Sequence, residues 1–353
     1  MTLRVGVIGT GVMGSEHARL LNAVVSGVEV AALYDVDAER VARVAADIDG
    51  ARRFDDPMVL IKDDLVDAVL IASSDATHAE FVLACIAAGK PVLCEKPLAP
   101  DTDGCLRIVA AEVDSGRRLV SVGFMRRYDP GYRQLRGQLD SGDLGRALML
   151  HCTHRNQQAP NVPTAALISG SAVHEIDIAR WLLADELVAV TVHRPRRGAV
   201  AGDTQDPLFL VFESATGILV DVEVYVNAGY GYDVRCELLA DQGAVCLDAP
   251  PPTLTRLRSS AGRSVPADWR PRFAEAYRLE LQDWVDTLTA ARKGFADRNA
   301  APELATAWRG ASGWDGYVAT AVAEAGIRAL HSGVREQITL SDKPDLYSQG
   351  RRA

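Results

Sequence analysis

No run of about 18 apolar residues occurs anywhere in the chain, so no segment has the length and hydropathy of a transmembrane helix. CxxC pairs are missing as well. The six cysteines, Cys85, Cys94, Cys105, Cys152, Cys236 and Cys246, lie singly in apolar segments, the pattern of small reduced core residues. There is no basic block, and a formal net charge of −9 argues against a nucleic-acid surface. Internal repeats and low-complexity segments are also lacking. Met1-Thr2-Leu3-Arg4 runs straight into a strand pattern, which leaves no room for a signal peptide and gives the expectation of a cytoplasmic protein. What is present is ordinary globular composition, 48% hydrophobic and 24% charged. At 353 residues the chain is long for one core and comfortable for two domains.

Residues 3–8 read as a buried strand, and Gly9-Thr-Gly11-Val-Met13-Gly14 follows at once, opening a helix over 12–25. A G-x-G-x-x-G carries weight only in that strand-to-helix context. Gly9 permits the tight turn, Gly11 lets a pyrophosphate approach the backbone, and Gly14 lets the helix pack on the strand. The helix N-terminus then offers unpaired N–H groups to phosphates. A second strand, 28–34, ends at Asp35, an acidic residue about 20 positions past the motif, where it accepts hydrogen bonds from the adenosine ribose and repels a 2′-phosphate. Asp35 is followed by Val36-Asp37 with no arginine beside it, so NAD is expected over NADP. His17, in the first helix, reads as a surface or packing histidine.

The alternation continues with helices at 37–47, 78–88 and 103–115 and strands at 67–72, 91–95 and 119–122, a doubly wound parallel sheet of Rossmann type. Ser73-Ser74-Asp75-Ala76-Thr77-His78 forms a polar loop at a strand's carboxyl end, with Asp75 or Thr77 available as a helix cap and Ser73, Ser74 and His78 as candidates to line a cofactor cleft. Cys94-Glu95-Lys96-Pro97 ends the next strand. Charged side chains are costly inside a core, so Glu95 and Lys96 belong where the strand opens into the ligand crevice of such a sheet. Pro97 restricts the backbone of Lys96 and so aims its ammonium.

After Gly123 the rhythm changes. A helix over 130–140 and an alternating strand over 146–156 put His154 and Asn156 on one face, with His151 and Arg155 on the other. His151-Cys-Thr-His154 is therefore no metal site despite its spacing. A helix over 173–184 carries His174, Asp177, Ile178 and Trp181 on one stripe. Strands at 187–194, 207–213, 218–226, 233–240, 243–247 and 253–257 follow, joined by short turns, then an amphipathic helix over 272–293 and a last helix over 316–332. The expected organisation is a dinucleotide-binding domain over 1–123, and over 124–353 an α+β domain on a mostly antiparallel open sheet that binds substrate and mediates oligomerisation. The tail from Ile338 is expected on the surface.

With these pieces placed, the chain resembles the inositol 2-dehydrogenase family, of the glucose–fructose oxidoreductase group. The resemblance covers nearly the whole chain. It rests on the glycine motif, Glu95-Lys96-Pro97, Gly123-Phe-Met-Arg-Arg-Tyr-Asp-Pro-Gly131 and His154-Arg-Asn156. It rests also on His174-Glu-Ile-Asp177, Arg180-Trp181, Tyr230-Gly-Tyr-Asp233, Asp268-Trp269 and Trp314-Asp-Gly-Tyr317. The resemblance implies hydride transfer from a ring carbinol of a cyclitol to NAD. It assigns Lys96 to the carbinol oxygen and His174 to its proton, as general base. Arg126, His154, Asn156 and Tyr232 match polyol-binding positions, with Tyr230 competing for the last. Met13, Glu95 and Lys96 join the cofactor set, and a homotetramer is the family's usual assembly.

One position departs from the pattern. The family aspartate four residues before the histidine is here Gly170, which has no side chain to orient an imidazole. Ser169, Ser171 and Asp177 are the nearest polar stand-ins. Two alternatives therefore stand beside inositol oxidation: reduction of a keto-cyclitol or keto-sugar, and a weakened protein that binds NAD and a cyclitol. The chain also looks longer than the family pattern around 296–309.

Overall fold

The computed structural model describes residues 2–159, 161–247, 254–296 and 310–348. The extra length expected around 296–309 falls almost wholly outside the described residues. Two compact units emerge, one of residues 1–125, 277–320 and 341–353, the other of 126–276 and 321–340. The sequence reading divides the chain once, at 123/124. The structure instead returns residues of the second half to the first unit, because apolar positions of a late helix complete the first unit's core.

In the first unit, β1 (Leu3–Ile8), α1 (Val12–Ala23), β2 (Val28–Tyr34), α2 (Ala38–Ala46), β3 (Arg52–Arg53), α3 (Pro57–Lys62), β4 (Ala68–Ile71), α4 (Asp75–Ala87), β5 (Val92–Glu95), α5 (Thr102–Ser115) and β6 (Val120–Gly123) alternate. The strand order is β6-β5-β4-β1-β2-β3, all parallel, the doubly wound arrangement expected. A short antiparallel edge, Ala311–Ser312, adds beside β6 and was not expected. Aspartates set the helix starts: Asp37 accepts from the N–H groups of Glu39 and Arg40, Asp56 precedes Pro57 at the first turn of α3, and Asp101 accepts from Gly104. The core gathers Val5, Val7, Leu21, Val30, Leu33 and Leu70 with Leu281, Trp284, Val285 and Leu288 from the late helix Trp269–Ala296.

Most of the described tail from Ile338 is exposed or half-buried, as expected, with two buried exceptions. Ile338 is buried, and Tyr347 is buried in the first unit, donating its hydroxyl to the enclosed carboxylate of Glu112, which also accepts from the backbone N–H groups of Leu119 and Val120. Cys246 is exposed, whereas the other five cysteines are buried as expected.

The second unit contains α6 (Pro130–Asp140), β7 (Ala147–Arg155), α7 (Val173–Leu183), β8 (Leu187–His193), β9 (Leu208–Ser214), β10 (Leu219–Tyr225), β11 (Asp233–Ala240) and β12 (Gly243–Leu247). Its sheet runs β12-β11-β7-β10-β9-β8, closed at the edge by Glu336–Gln337. All pairs are antiparallel except β10 with β7, so the sheet is mixed but mostly antiparallel. Alternation does the sorting: Val220, Val222 and Val224 are buried while Asp221, Glu223 and Tyr225 are half-buried on the opposite face. Residues 167–172, just before α7, wind as a π-helix, which α-helical periodicity did not foresee.

Candidate active site

The first unit presents its functional positions through backbone. Gly9 has φ +91°, a conformation that side chains resist, and a Cβ on Gly14 would lie 1.8 Å from the carbonyl oxygen of Gly9. A Cβ on Gly11 would meet nothing within 4 Å, so the approach to the start of α1 is open. No side chain caps that helix, and its first N–H groups are left for a ligand. Met13 stands in its first turn. The Asp35 carboxylate accepts from Thr10 N (2.6 Å), Thr10 Oγ1 (3.2 Å) and Asp37 N (3.0 Å). Burial opposes its charge, but these donors and the nearby Arg40 outweigh it and hold the carboxyl below its ordinary value. Arg40 corrects the sequence reading: one helical turn on, its Nη1 lies 3.2 Å from Asp35 Oδ1. These residues fit a dinucleotide, with an open phosphate cradle and a fixed acidic residue at the end of β2.

At the carboxyl ends of β4 and β5 the side chains divide their work. Ser74 precedes α4 without a side-chain cap, and the Ser73 and Thr77 hydroxyls share a hydrogen bond of 2.7 Å, so neither Asp75 nor Thr77 caps the helix. His78, read as a lining residue, is 1% exposed; its Nδ1 is 2.7 Å from Pro97 O and its Nε2 3.2 Å from Ser73 O. It is enclosed between two loops and ties them together. Glu95 is buried and lies 2.7 Å from His17 Nε2, so His17 is not a surface residue but the partner of Glu95. Burial works against the Glu95 charge, yet His17 and Lys96 keep its carboxyl below the ordinary range. Lys96 is half-buried just past β5, its N–H donating to Glu95 Oε2 at 3.2 Å.

The second unit builds with side chains. The α7 segment 173–180 is buried on every side, and it carries two carboxylates, Glu175 and Asp177. Burying them requires cations. The adjacent Arg126 and Arg127 supply them. Arg126 Nη1 donates to Glu175, and Arg127 donates to Asp177 through Nε (2.9 Å) and Nη2 (2.5 Å). His154 Nδ1 lies 3.0 Å from Glu175 Oε2 and 3.2 Å from Arg126 Nη2; beside an ionised carboxylate, which only accepts, Nδ1 carries its proton and donates to Glu175. The His154 ring stands 6.0 Å from the Tyr232 ring, edge-on, and 6.3 Å from the His174 ring. Burial raises the Tyr232 hydroxyl to about 12, with Arg126 opposing. Burial would also raise Glu175, but Arg126 and His154 overcome it and bring the carboxyl down to about 2.

Several expectations meet this geometry differently. Arg126, expected against the polyol, is 1% exposed and held by Glu175 over the Phe273 ring, with His154 beside it. Of the two tyrosines, Tyr232 stands beside His154, while Tyr230 is half exposed and bonded to Arg155 and Asp233. Asp177 is taken by Arg127, and the nearest hydrogen-bond acceptor of the Ser169 hydroxyl is the Ala165 carbonyl, so neither replaces the missing aspartate. Gly170 lies within the π-helix, exposed, with nothing within 4 Å of a built Cβ. His151 pairs with Asp221 on the other sheet face, as alternation required. Glu175, which joins Arg126 to His154, was not singled out from the sequence, although a glutamate inside an all-buried helix is itself a signal. Among the described residues, no group of three or more His, Cys, Asp or Glu is placed to hold a metal ion.

Residues 3–124 match the model of an oxidoreductase family with an NAD-binding Rossmann fold, and residues 132–246 match the GFO/IDH/MocA C-terminal domain. The chain belongs to the GFO/IDH/MocA oxidoreductase family. This GFO/IDH/MocA protein is 51% identical over 350 residues to inositol 2-dehydrogenase 2 of Saccharopolyspora erythraea, covering 99% of each chain. It is 48% identical to an inositol 2-dehydrogenase of Streptomyces avermitilis, over 98% of its own length and 97% of the relative's. Among solved structures it is similar to myo-inositol dehydrogenase from Lactobacillus casei in complex with NAD(H) and myo-inositol. The TM-score is 0.90 and the identity 32%, with 98% of this chain and 100% of that chain covered. It is an NAD-dependent oxidoreductase. No described helix is long and apolar enough to cross a membrane.

Proposed function

We propose that this protein oxidises a ring hydroxyl of myo-inositol or a close cyclitol to the corresponding inosose. When bound, NAD supplies the hydride acceptor. The observation that carries the reading is the end-to-end similarity to an inositol 2-dehydrogenase, 51% over 99% of each chain. Keto-cyclitol reduction and a non-catalytic binding role are not favoured, since the curated relatives at this identity are inositol 2-dehydrogenases.

Within this reading Lys96 holds the carbinol oxygen and stabilises alkoxide charge, while His174 accepts the hydroxyl proton. Asn156, His154 and Tyr232 bind ring hydroxyls. Arg126 and Glu175 act one step back: His154 Nδ1–H donates to the Glu175 carboxylate, which leaves Nε2 to accept from a hydroxyl. Gly9, Gly11, Met13 and Gly14 receive the pyrophosphate, Asp35 the adenosine ribose, and Ser73, Ser74 and Glu95 the nicotinamide side, with His78 bracing the loop. The reading carries with it the family's usual homotetramer and a cytoplasmic setting. Light scattering of a monomer at micromolar concentration contradicts the assembly.

The test is NADH absorbance with a panel of cyclitols and sugars, beside a cofactor-binding titration. Turnover of myo-inositol or a stereoisomer supports the reading. Tight NAD binding without turnover of any cyclitol contradicts it.

A further inference from the structure

Asn156 follows β7, and its side-chain Oδ1 is buried with no hydrogen-bond partner among the described residues. A buried acceptor of this kind costs free energy unless a donor arrives, which makes it a natural contact for a ligand hydroxyl. The residue is held through its backbone. Its N–H donates to Tyr225 O (3.0 Å) and its carbonyl accepts from Ala228 N (3.0 Å), so it is fixed to the turn that follows β10. That turn is fixed in its own right from a third element. Asp206, 0% exposed in the loop before β9, accepts from Val226 N (3.1 Å) through one oxygen and from Asn227 Nδ2 (2.9 Å) through the other. Asn227, also buried, accepts from Ala159 N at 3.1 Å, three residues beyond Asn156. Segment 156–159 is thus tied at both ends to the turn, and the turn to Asp206.

We propose that Asp206 and Asn227 are positioning residues of the cyclitol site, which set the aim of the Asn156 side chain and so the affinity for the ring. The inference rests on Asn156 as a polyol contact. The network has a polarity that can be tested. Asp206 offers only acceptors, and Asn227 turns its donor to Asp206 and its acceptor to Ala159 N. Asp206→Asn sets a donor against a donor, toward either Asn227 or Val226. Asn227→Asp sets two buried carboxylates together. Making both changes restores the match, because the new amide donates to the new carboxylate, which still accepts from Ala159 N.

The experiment measures KM and kcat for myo-inositol, and Kd for NAD, on wild type, Asn156→Ala, both single variants and the double variant. Each single variant is expected to raise KM about tenfold, the equivalent of about 1.4 kcal/mol. kcat should change little and NAD affinity not at all. The double variant should return KM to within about threefold of wild type, as a coupled pair does. Should Asn227→Asp not fold, Asp206→Asn and the double variant carry the same comparison. A raised KM for Asn156→Ala with wild-type KM in the folded Asp206 and Asn227 variants overturns the inference. So does a double variant that fails to recover, or parallel loss of NAD affinity. An unchanged KM in Asn156→Ala instead overturns the reading of Asn156 itself.

Discussion

In the proposed reading the two units hold a polar ligand beside a packed sheet by opposite means. The first uses main chain: glycines without Cβ, an uncapped helix start and one acidic residue after β2. The second uses side chains that meet from far apart in sequence, Arg126 with Glu175 across 49 residues and Asp206 with Asn227 across 21. A backbone site is written in a few consecutive residues. A side-chain site is written in pairs, and pairing offsets the cost of burying charge.

The largest effect should come from the groups proposed to react. Lys96→Ala and His174→Ala are expected to lower kcat by roughly 10²–10⁴-fold, the contribution of positioned acid–base groups. NAD affinity should be kept in His174→Ala, as read by a binding titration. A His174→Ala enzyme with near-wild-type kcat removes that residue from the chemistry.

Next comes the buried ion pair. Glu175→Gln leaves Arg126 enclosed without its carboxylate and should cost about 3–5 kcal/mol of stability, measurable by denaturant unfolding. In the wild type, Glu175 titrates near 2 when folded, against an ordinary 4.5. Its contribution to stability is therefore complete above about pH 4.5 and is lost as pH falls from there toward 2. The variant's unfolding free energy should depend less on pH across that window. Equal acid sensitivity in both proteins contradicts the assignment.

How much was legible follows the same division. The order of strands and helices in the first unit, Gly9, Gly11, Gly14 and Asp35 could all be read locally, because turn and helix-start chemistry is local. Arg40 could not, since only the α2 geometry swings it back to Asp35. In the second unit strand alternation sorted His154 from His151, yet Glu175, Asp206 and Asn227 stayed silent. Their roles exist only once distant segments meet. The π-helix at 167–172 escaped for another reason: nothing in a run such as Leu-Ile-Ser-Gly-Ser-Ala marks a five-residue bonding pattern.

Smaller effects sharpen the comparison. Asp35→Ser removes the repelling carboxylate and frees Arg40 to meet a 2′-phosphate, so the NAD-over-NADP preference in kcat/KM should narrow by about tenfold, about 1.4 kcal/mol. An unchanged ratio shows that Asp35 does not set the preference. Gly170→Asp restores a carboxylate where a side chain has room, and kcat/KM for myo-inositol should rise by up to about tenfold. A fall instead shows that the site is shaped around glycine.

The most direct test of the central claim follows the hydrogen itself. Wild-type protein is given NAD and myo-inositol deuterated at the carbinol carbon that is oxidised, and the recovered NADH is analysed by mass spectrometry. The account predicts one deuterium in each NADH formed, with an inosose as the organic product. NADH without the label, or no NADH from any cyclitol while NAD binds tightly, contradicts it.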